Sequence, residues 1–539
     1  MGGTLEMALY AWSWAFLVLY IGGMIVLGWL GSRRVKDADD FATARRGYGP
    51  LMLALAFAST AASGATFLGL PGLTYTYGMS TLWIAFCYPV GVYIGIFICQ
   101  RTIARFGNAT GSRSIPEFLG ERFDSEGIRV STAIFSLILL FYLASQLVSG
   151  LVMFETMLGV PQMWALVITT VVLLAYVTLG GAHADILTDG AQGFLMLVLA
   201  ALILVLFFLG VGAGGFGEMI ENLRAQDPEL LAPFNPADPI TASAWAAITV
   251  TVAHIPLGLL PHIGNKLWAL RDERSRNRFV MLAFAFGFLL PAITLGGFTA
   301  RIVLGGELFE QAGAVNNALP AVFIEIFPTW LAALLGVGVL AAIMSTADGL
   351  VISTSQVFAN DIYRRSIAPR IHRHLSEAEL DRNVLVISRV MTALTIVGAA
   401  ILGWATMNMN VVLLMWIGVG GFVAALMGPL VVGSLWLGAT RAGAIAGFWA
   451  GAVTFILIRG QIIDGNWLVG TALEDAGRWF AFYSTNPYSA ATFGAVVSVI
   501  VTVVVSRFTA PLPAAHLARL RGDAPTAEVA GGSPALETR

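Results

Sequence analysis

The chain has 539 residues, of which 57% are hydrophobic and 12% charged, with a formal net charge of −2. A soluble domain carries about 25% charged residues, so an ordinary soluble enzyme is excluded, and without a basic excess so is a nucleic-acid partner. The two cysteines, Cys87 and Cys99, lie inside one apolar run and read as small core residues, not as a disulfide or metal framework.

Taken in order, thirteen apolar segments approach the roughly 20 residues that one helix needs to cross a bilayer. They run over 8–31, 50–77, 81–106, 130–157, 163–181, 189–212, 243–269, 279–304, 328–357, 389–408, 410–437, 443–459 and 485–506. The first lacks a basic leading region and is followed by Arg33, Arg34 and Lys36, so it reads as a retained anchor and not a cleaved signal. The chain is therefore expected to be an all-α polytopic membrane protein over 1–506. The lipid bilayer is its surroundings, and no obligate protein partner is evident. No phosphate loop, HExxH or CxxC is present, so no enzyme chemistry is expected.

Charge placement predicts the orientation. With the N-terminus outside and the side alternating at each span, 26 of the 30 basic residues fall on the cytoplasmic side, leaving Arg224, Arg301, Arg459 and Arg478 outside. Positive charge stays in the cytoplasm, so the arrangement reads N-out and C-in. Only Lys36 and Lys266 are lysine. That bias hints at a GC-rich bacterial genome, and a multi-pass chain of this kind is expected in a bacterial inner membrane. The tail over 507–539 is rich in Ala, Pro and Gly and is expected to be a disordered cytoplasmic segment.

Two spans make poor helices. The second holds Ser63-Gly64 and then Gly69-Leu70-Pro71-Gly72, and the seventh holds Pro256, Gly258 and Pro261. Pro removes a backbone donor and Gly weakens a helix interior. Broken backbone at membrane depth survives only inside protein or beside a watery cavity, and a matched pair of interrupted spans marks a transporter's binding site. The pair is five spans apart. Spans over 50–212 and 243–437 then form two repeats of five, inverted because five is odd, with 8–31 and 443–506 as peripheral helices.

The ninth span carries Ala341-Ala342-Ile343-Met344-Ser345-Thr346-Ala347-Asp348. Ser345 lies about 12 residues, roughly 18 Å, from the cytoplasmic end, and Ser59 to Ala62 of the second span lie at similar depth. Hydroxyls from one helix and freed carbonyls from the other would form a hard-oxygen cage for a small monovalent cation. Asp348, three residues after Ser345, shares its face. Asp189 reads two ways: as a capping box with Gln192, or with Asp348 as a second cation or proton site. The solute pocket is expected at the two breaks, with Thr66, Gln146, Thr251, His254 and Trp416 as candidate lining groups. His254 also reads as a packing histidine, Gln146 as a bond to a neighbouring helix, and His262 and Lys266 as interfacial anchors.

At these residues the chain resembles the sodium:solute symporter family. The motifs are Arg46-Gly47-Tyr48-Gly49-Pro50, Ser63 through Gly72, Leu179-Gly180-Gly181 with Thr188-Asp189-Gly190-Ala191-Gln192, Leu260-Pro261-His262, and Ala341 through Thr346. The nearest impression is of its pantothenate and monocarboxylate branch. The resemblance implies a five-plus-five inverted-repeat core of the leucine-transporter type. It also implies Na+ as the transported coupling ion, held by backbone carbonyls of Ser59, Ala62 and Ala342 and the side-chain oxygens of Ser345 and Thr346. The cargo it implies is a small organic solute, a monocarboxylate or related organic acid. Proton coupling, or an amino acid, pantothenate or sugar as cargo, would use the same fold. Ala61 stands where some proline carriers of the family have an essential Asp. Ala253 and Leu257 stand where they have aromatics, and Ala61 and Thr66 near the amides of sugar carriers.

Overall fold

The computed structural model describes residues 2–35, 38–177, 181–272, 274–311 and 313–521. Among these the principal elements are α1 (Gly2–Ser32), α2 (Pro50–Ala61), α3 (Leu70–Tyr77), α4 (Leu82–Thr110), α5 (Leu140–Leu158), α6 (Gly181–Leu209) and α7 (Ala244–His254). They continue as α8 (Arg276–Leu289), α9 (Thr329–Gln356), α10 (Glu377–Thr406), α11 (Val411–Leu426), α12 (Arg441–Arg459), α13 (Pro487–Phe508) and α14 (Ala514–Arg521).

Ten helices among the described residues are long and apolar enough to cross a membrane, or eleven if the pair Ala244–Leu259 and Pro261–Ala269, bent by 54°, is one broken span. The difference from thirteen has two sources. The expected second span is cut, so that α2 is a short helix of 12 residues and its continuation runs on into α4. The expected fifth, Gln162–Val177, has only 16 residues.

Local chemistry sets the helix ends. Ser376 and Glu379 close a reciprocal capping box at the start of α10. Asn410 caps α11, and Asn486 caps α13, where Pro487 stands in the first turn. At the break after α2, Ala62 is extended (φ −96°, ψ 90°), and the chain resumes as a single wide turn over Ala65–Gly69. Pro71 does not break anything. It sits in the first turn of α3, where a missing N–H costs nothing.

Burial separates core from periphery. In their most apolar stretches, 78% of residues are buried in the helices containing α5 and α9 and 89% in that containing α11, against 22% in α1 and in α10. The outer helices therefore face lipid. Small residues let the core helices touch: a Cβ at Gly193 of α6 would lie 2.5 Å from the Leu55 carbonyl of α2.

The tail departs from the disorder expected from Arg507. α13 continues to Phe508, Leu512 in the segment that follows is buried, and α14 folds back with His516 buried and its Nε2 3.2 Å from the Arg122 carbonyl. Two buried side chains and one hydrogen bond are enough to anchor a short segment that composition marks as polar. The remainder of the tail, Lys36, and Leu179-Gly180 of the family motif lie outside the described residues.

Candidate functional site

The break in the second span has a direct chemical result. α2 ends at Ala61, so the carbonyls of its last turn lose the N–H groups that a continuing helix would supply. These carbonyls also carry the partial negative charge of the helix C-terminus. They face α9. Ser345 Oγ donates to the Ser59 carbonyl at 3.1 Å and lies 3.3 Å from the Ala342 carbonyl, and Thr346 Oγ1 donates to the Thr60 carbonyl at 3.1 Å. Ser59, Ala62, Ala342, Ser345 and Thr346 are all fully shielded. The hydroxyls can rotate, so the oxygens that now share protons can turn their lone pairs toward a cation.

A second cluster adjoins the first through Thr60. Its hydroxyl donates to Asp189 Oδ2 at 2.7 Å, while Ser59 Oγ donates to the Asp189 carbonyl at 2.9 Å. Lys266 Nζ reaches the same Asp189 Oδ2 at 2.7 Å and also pairs with Asp185. Two expectations are corrected here. α6 begins at Gly181, so Asp189 sits inside the helix and caps nothing. Lys266 is buried rather than interfacial, because two carboxylates on one face of α6 compensate its charge. His262 is likewise buried, its ring 5.5 Å from that of Tyr142. Asp348 is buried on α9, and with Asp189 lies within electrostatic reach of the Tyr20 hydroxyl, which accepts from Gln192 Nε2 at 2.6 Å. The first helix, expected to be peripheral, thus brings the Tyr20 hydroxyl into the core.

Between the two breaks is a cavity of about 30 Å³. Thr66, His254 and Trp416 line it, together with Tyr88, Tyr142 and Tyr488. His254 Nδ1 donates to the Val250 carbonyl at 2.6 Å, and its ring centroid lies 4.7 Å from Trp416, 5.4 Å from Tyr88 and 5.7 Å from Tyr488. Gln146 and Thr251 do not line it. Thr251 Oγ1 turns back to Ala247, and Gln146 Oε1 accepts from the Gly64 N–H at 3.0 Å. Gln146 is therefore a prop for the break. Gln146→Leu would leave that N–H buried and unpaired, a cost of about 1–3 kcal/mol. A lower melting temperature in detergent is expected for it.

The model of the family described as "Sodium:solute symporter family" matches residues 41–451. The chain belongs to that family. It is 30% identical to the sodium/proline symporter of Escherichia coli K12, over 81% of this chain and 86% of that one, and 24% identical to the sodium/pantothenate symporter of Haemophilus influenzae, over 81% and 88%. A solved structure, described as a substrate-bound outward-open state of a Na+-coupled sialic acid symporter, shares the fold with a TM-score of 0.70 at 18% identity, covering 93% of this chain and 98% of that one. This sodium:solute symporter family member is accordingly a multi-pass inner-membrane transporter with a leucine-transporter-type fold, and not an enzyme.

Thr60, Asp185 and Lys266 were not among the candidates read from the family member's sequence. A signal for them existed. Asp185 and Asp189 are four apart, hence on one helix face, and one of only two lysines stands at the end of the broken seventh span.

Proposed function

We propose that this chain is a sodium-coupled symporter that imports a small, carboxylate-bearing organic solute by alternating access, with thirteen spans, N-out and C-in. The observation that carries the reading is the pair of 3.1 Å contacts from Ser345 and Thr346 to the open carbonyl end of α2. A sodium ion held by Ser59, Ala62, Ala342, Ser345 and Thr346 would tie the first repeat to the second and favour one conformation over the other. Relatives named for proline and pantothenate transport support a carboxylate solute. The aromatic wall of the cavity would take its apolar body.

Release would run inward past Lys266. A further cavity of about 30 Å³ lies there, and Asp185 Oδ1, Asn265 Oδ1 and both His262 nitrogens around it have no hydrogen-bond partner among the described residues. Such a site has room and polar contacts for water. One sodium moving across about 100 mV and down a tenfold gradient releases about 3.7 kcal/mol, enough for roughly 500-fold accumulation of a neutral solute. A monoanion carried with one sodium moves no net charge, so a second cation or proton at Asp189 and Asp348 would restore the electrical component. Asp348→Asn is expected to lower the cation-to-solute ratio, and an unchanged ratio removes that second site.

Proteoliposomes with an imposed sodium gradient at fixed membrane potential, offered short monocarboxylates, pantothenate, proline and sugars, test the reading. Uphill uptake of a carboxylate that needs sodium is expected. Uptake driven equally by a proton gradient without sodium would replace it by the proton-coupled alternative.

A further inference from the structure

We propose that a basic cavity at one end of the membrane helices is a binding site for the phosphate headgroup of an anionic phospholipid. The cavity, about 540 Å³, is lined by Arg46, Arg105, Arg271 and Arg276, with Asn108 between them. Among the described residues one acid, Asp272, is on its wall, and both oxygens of that carboxylate accept from Ser275, its backbone N–H at 2.7 Å and its hydroxyl at 3.0 Å. Those bonds hold the Asp272 carboxyl below the usual carboxylate range, so it stays ionised. Arg46, Arg105 and Arg271 alone outnumber that carboxylate among the described residues and leave the wall positive. Guanidinium groups suit phosphate because their planar donors match two of its oxygens at once.

The surface leading to the cavity selects a lipid over a soluble anion. On α4 the outward stripe runs through Phe86, Val90, Ile94 and Phe97 at helical spacing, all exposed, and continues into Arg101 and Arg105. On α8, Met281 and Phe284 are exposed one and two turns from Arg278. The two helices touch where Phe284 meets Tyr93, ring centroids 5.4 Å apart. Acyl chains lying along these stripes would deliver the headgroup to Arg105 at the mouth of the cavity. Leu267 and Leu270 also line the cavity and suit the glycerol backbone next to a phosphate.

The site has a mechanical setting. Behind it the entry to α2 is stitched to the exit of the broken seventh span by three backbone hydrogen bonds: Arg46 N–H to Trp268 at 3.1 Å, Tyr48 N–H to Ala269 at 3.0 Å, and Arg271 N–H to Tyr48 at 2.9 Å. Arg46 is held at φ +55°, a backbone conformation that costs a non-glycine residue about 1 kcal/mol or more. A phosphate bridging Arg46 and Arg271 would brace this seam, and so couple membrane composition to the stability of the two interrupted helices. The inference stands apart from the identity of the cation or solute.

The test uses the purified full chain in nanodiscs and native mass spectrometry. Phosphatidylglycerol should be retained in preference to phosphatidylcholine and should raise the melting temperature. Each basic side chain near an anionic lipid contributes about fivefold in affinity, so Arg105→Gln with Arg271→Gln should weaken retention about 30-fold. The Arg105→Lys, Arg271→Lys pair should keep most of it. Equal retention of the two lipids by the unmodified chain would overturn the proposal. So would undiminished phosphatidylglycerol retention by the glutamine pair, or an equal thermal shift from inorganic phosphate alone. The comparison of lipids on the unmodified chain decides the matter even if the glutamine pair does not fold.

Discussion

Replacing Ser345 and Thr346 together by Ala is expected to abolish sodium-dependent uptake at ordinary sodium concentrations. Each hydroxyl oxygen that contacts a charged group is worth about 1.5–3 kcal/mol, so losing two should weaken sodium binding about 100-fold or more. Stability should suffer less. Without an ion the two hydroxyls make neutral hydrogen bonds to the Ser59 and Thr60 carbonyls, worth about 1 kcal/mol each. Thr346→Ser keeps the oxygen and should keep most of the sodium affinity. Sodium titrations of intrinsic fluorescence, alongside melting curves, separate the two effects. A double variant that melts early yet binds sodium normally would move the ion to another site.

Replacing Lys266 by Met should have the largest effect on folding. Its ammonium contacts Asp185 and Asp189, and its side chain is only 3% exposed. Breaking a buried ion pair by removing one partner costs about 3–5 kcal/mol, a large part of the 5–15 kcal/mol that an ordinary domain has in hand. The cost comes from stranding carboxylates, so the Lys266→Met, Asp185→Asn, Asp189→Asn triple should recover much of the stability. Its transport then discriminates two roles. Recovered uptake makes the cluster structural, whereas a stable protein without uptake places Asp189 and Lys266 on the ion's path. Thermal unfolding in detergent and uptake in proteoliposomes are the two readouts.

The meeting of Ser345 and Thr346 with the end of α2 was more legible in the sequence than the lining of the cavity, for a physical reason. A helix break and a hydroxyl pair are local, and their depth follows from counting residues along a fixed rise of 1.5 Å. Ser59, Ser345 and Thr346 could therefore be matched across almost three hundred residues of chain. Gln146 and Thr251 could be placed near the breaks by the same count, but not rotated about their helix axes. Gln146 turned out to hold the Gly64 N–H, and Thr251 to bond within its own helix.

By itself the sequence determined the solvent, because apolar segments of this length have no stable home in water. It marked the two spans that break, near Ser63-Gly64 and from Pro256 to Pro261, because Gly and Pro act on their own backbone, though it also marked Pro71, which starts a helix instead. It also determined the family, since the order of short motifs survives without knowledge of packing. Only the tertiary structure decided partnership. It took Asp189 out of a capping box and set it against Lys266, brought Tyr20 of the first helix to Gln192, and gathered four arginines from three distant segments around one cavity. These pairings join residues tens to hundreds of positions apart. Their energy depends on charge distance and exclusion of water, which the fold sets and no local pattern records.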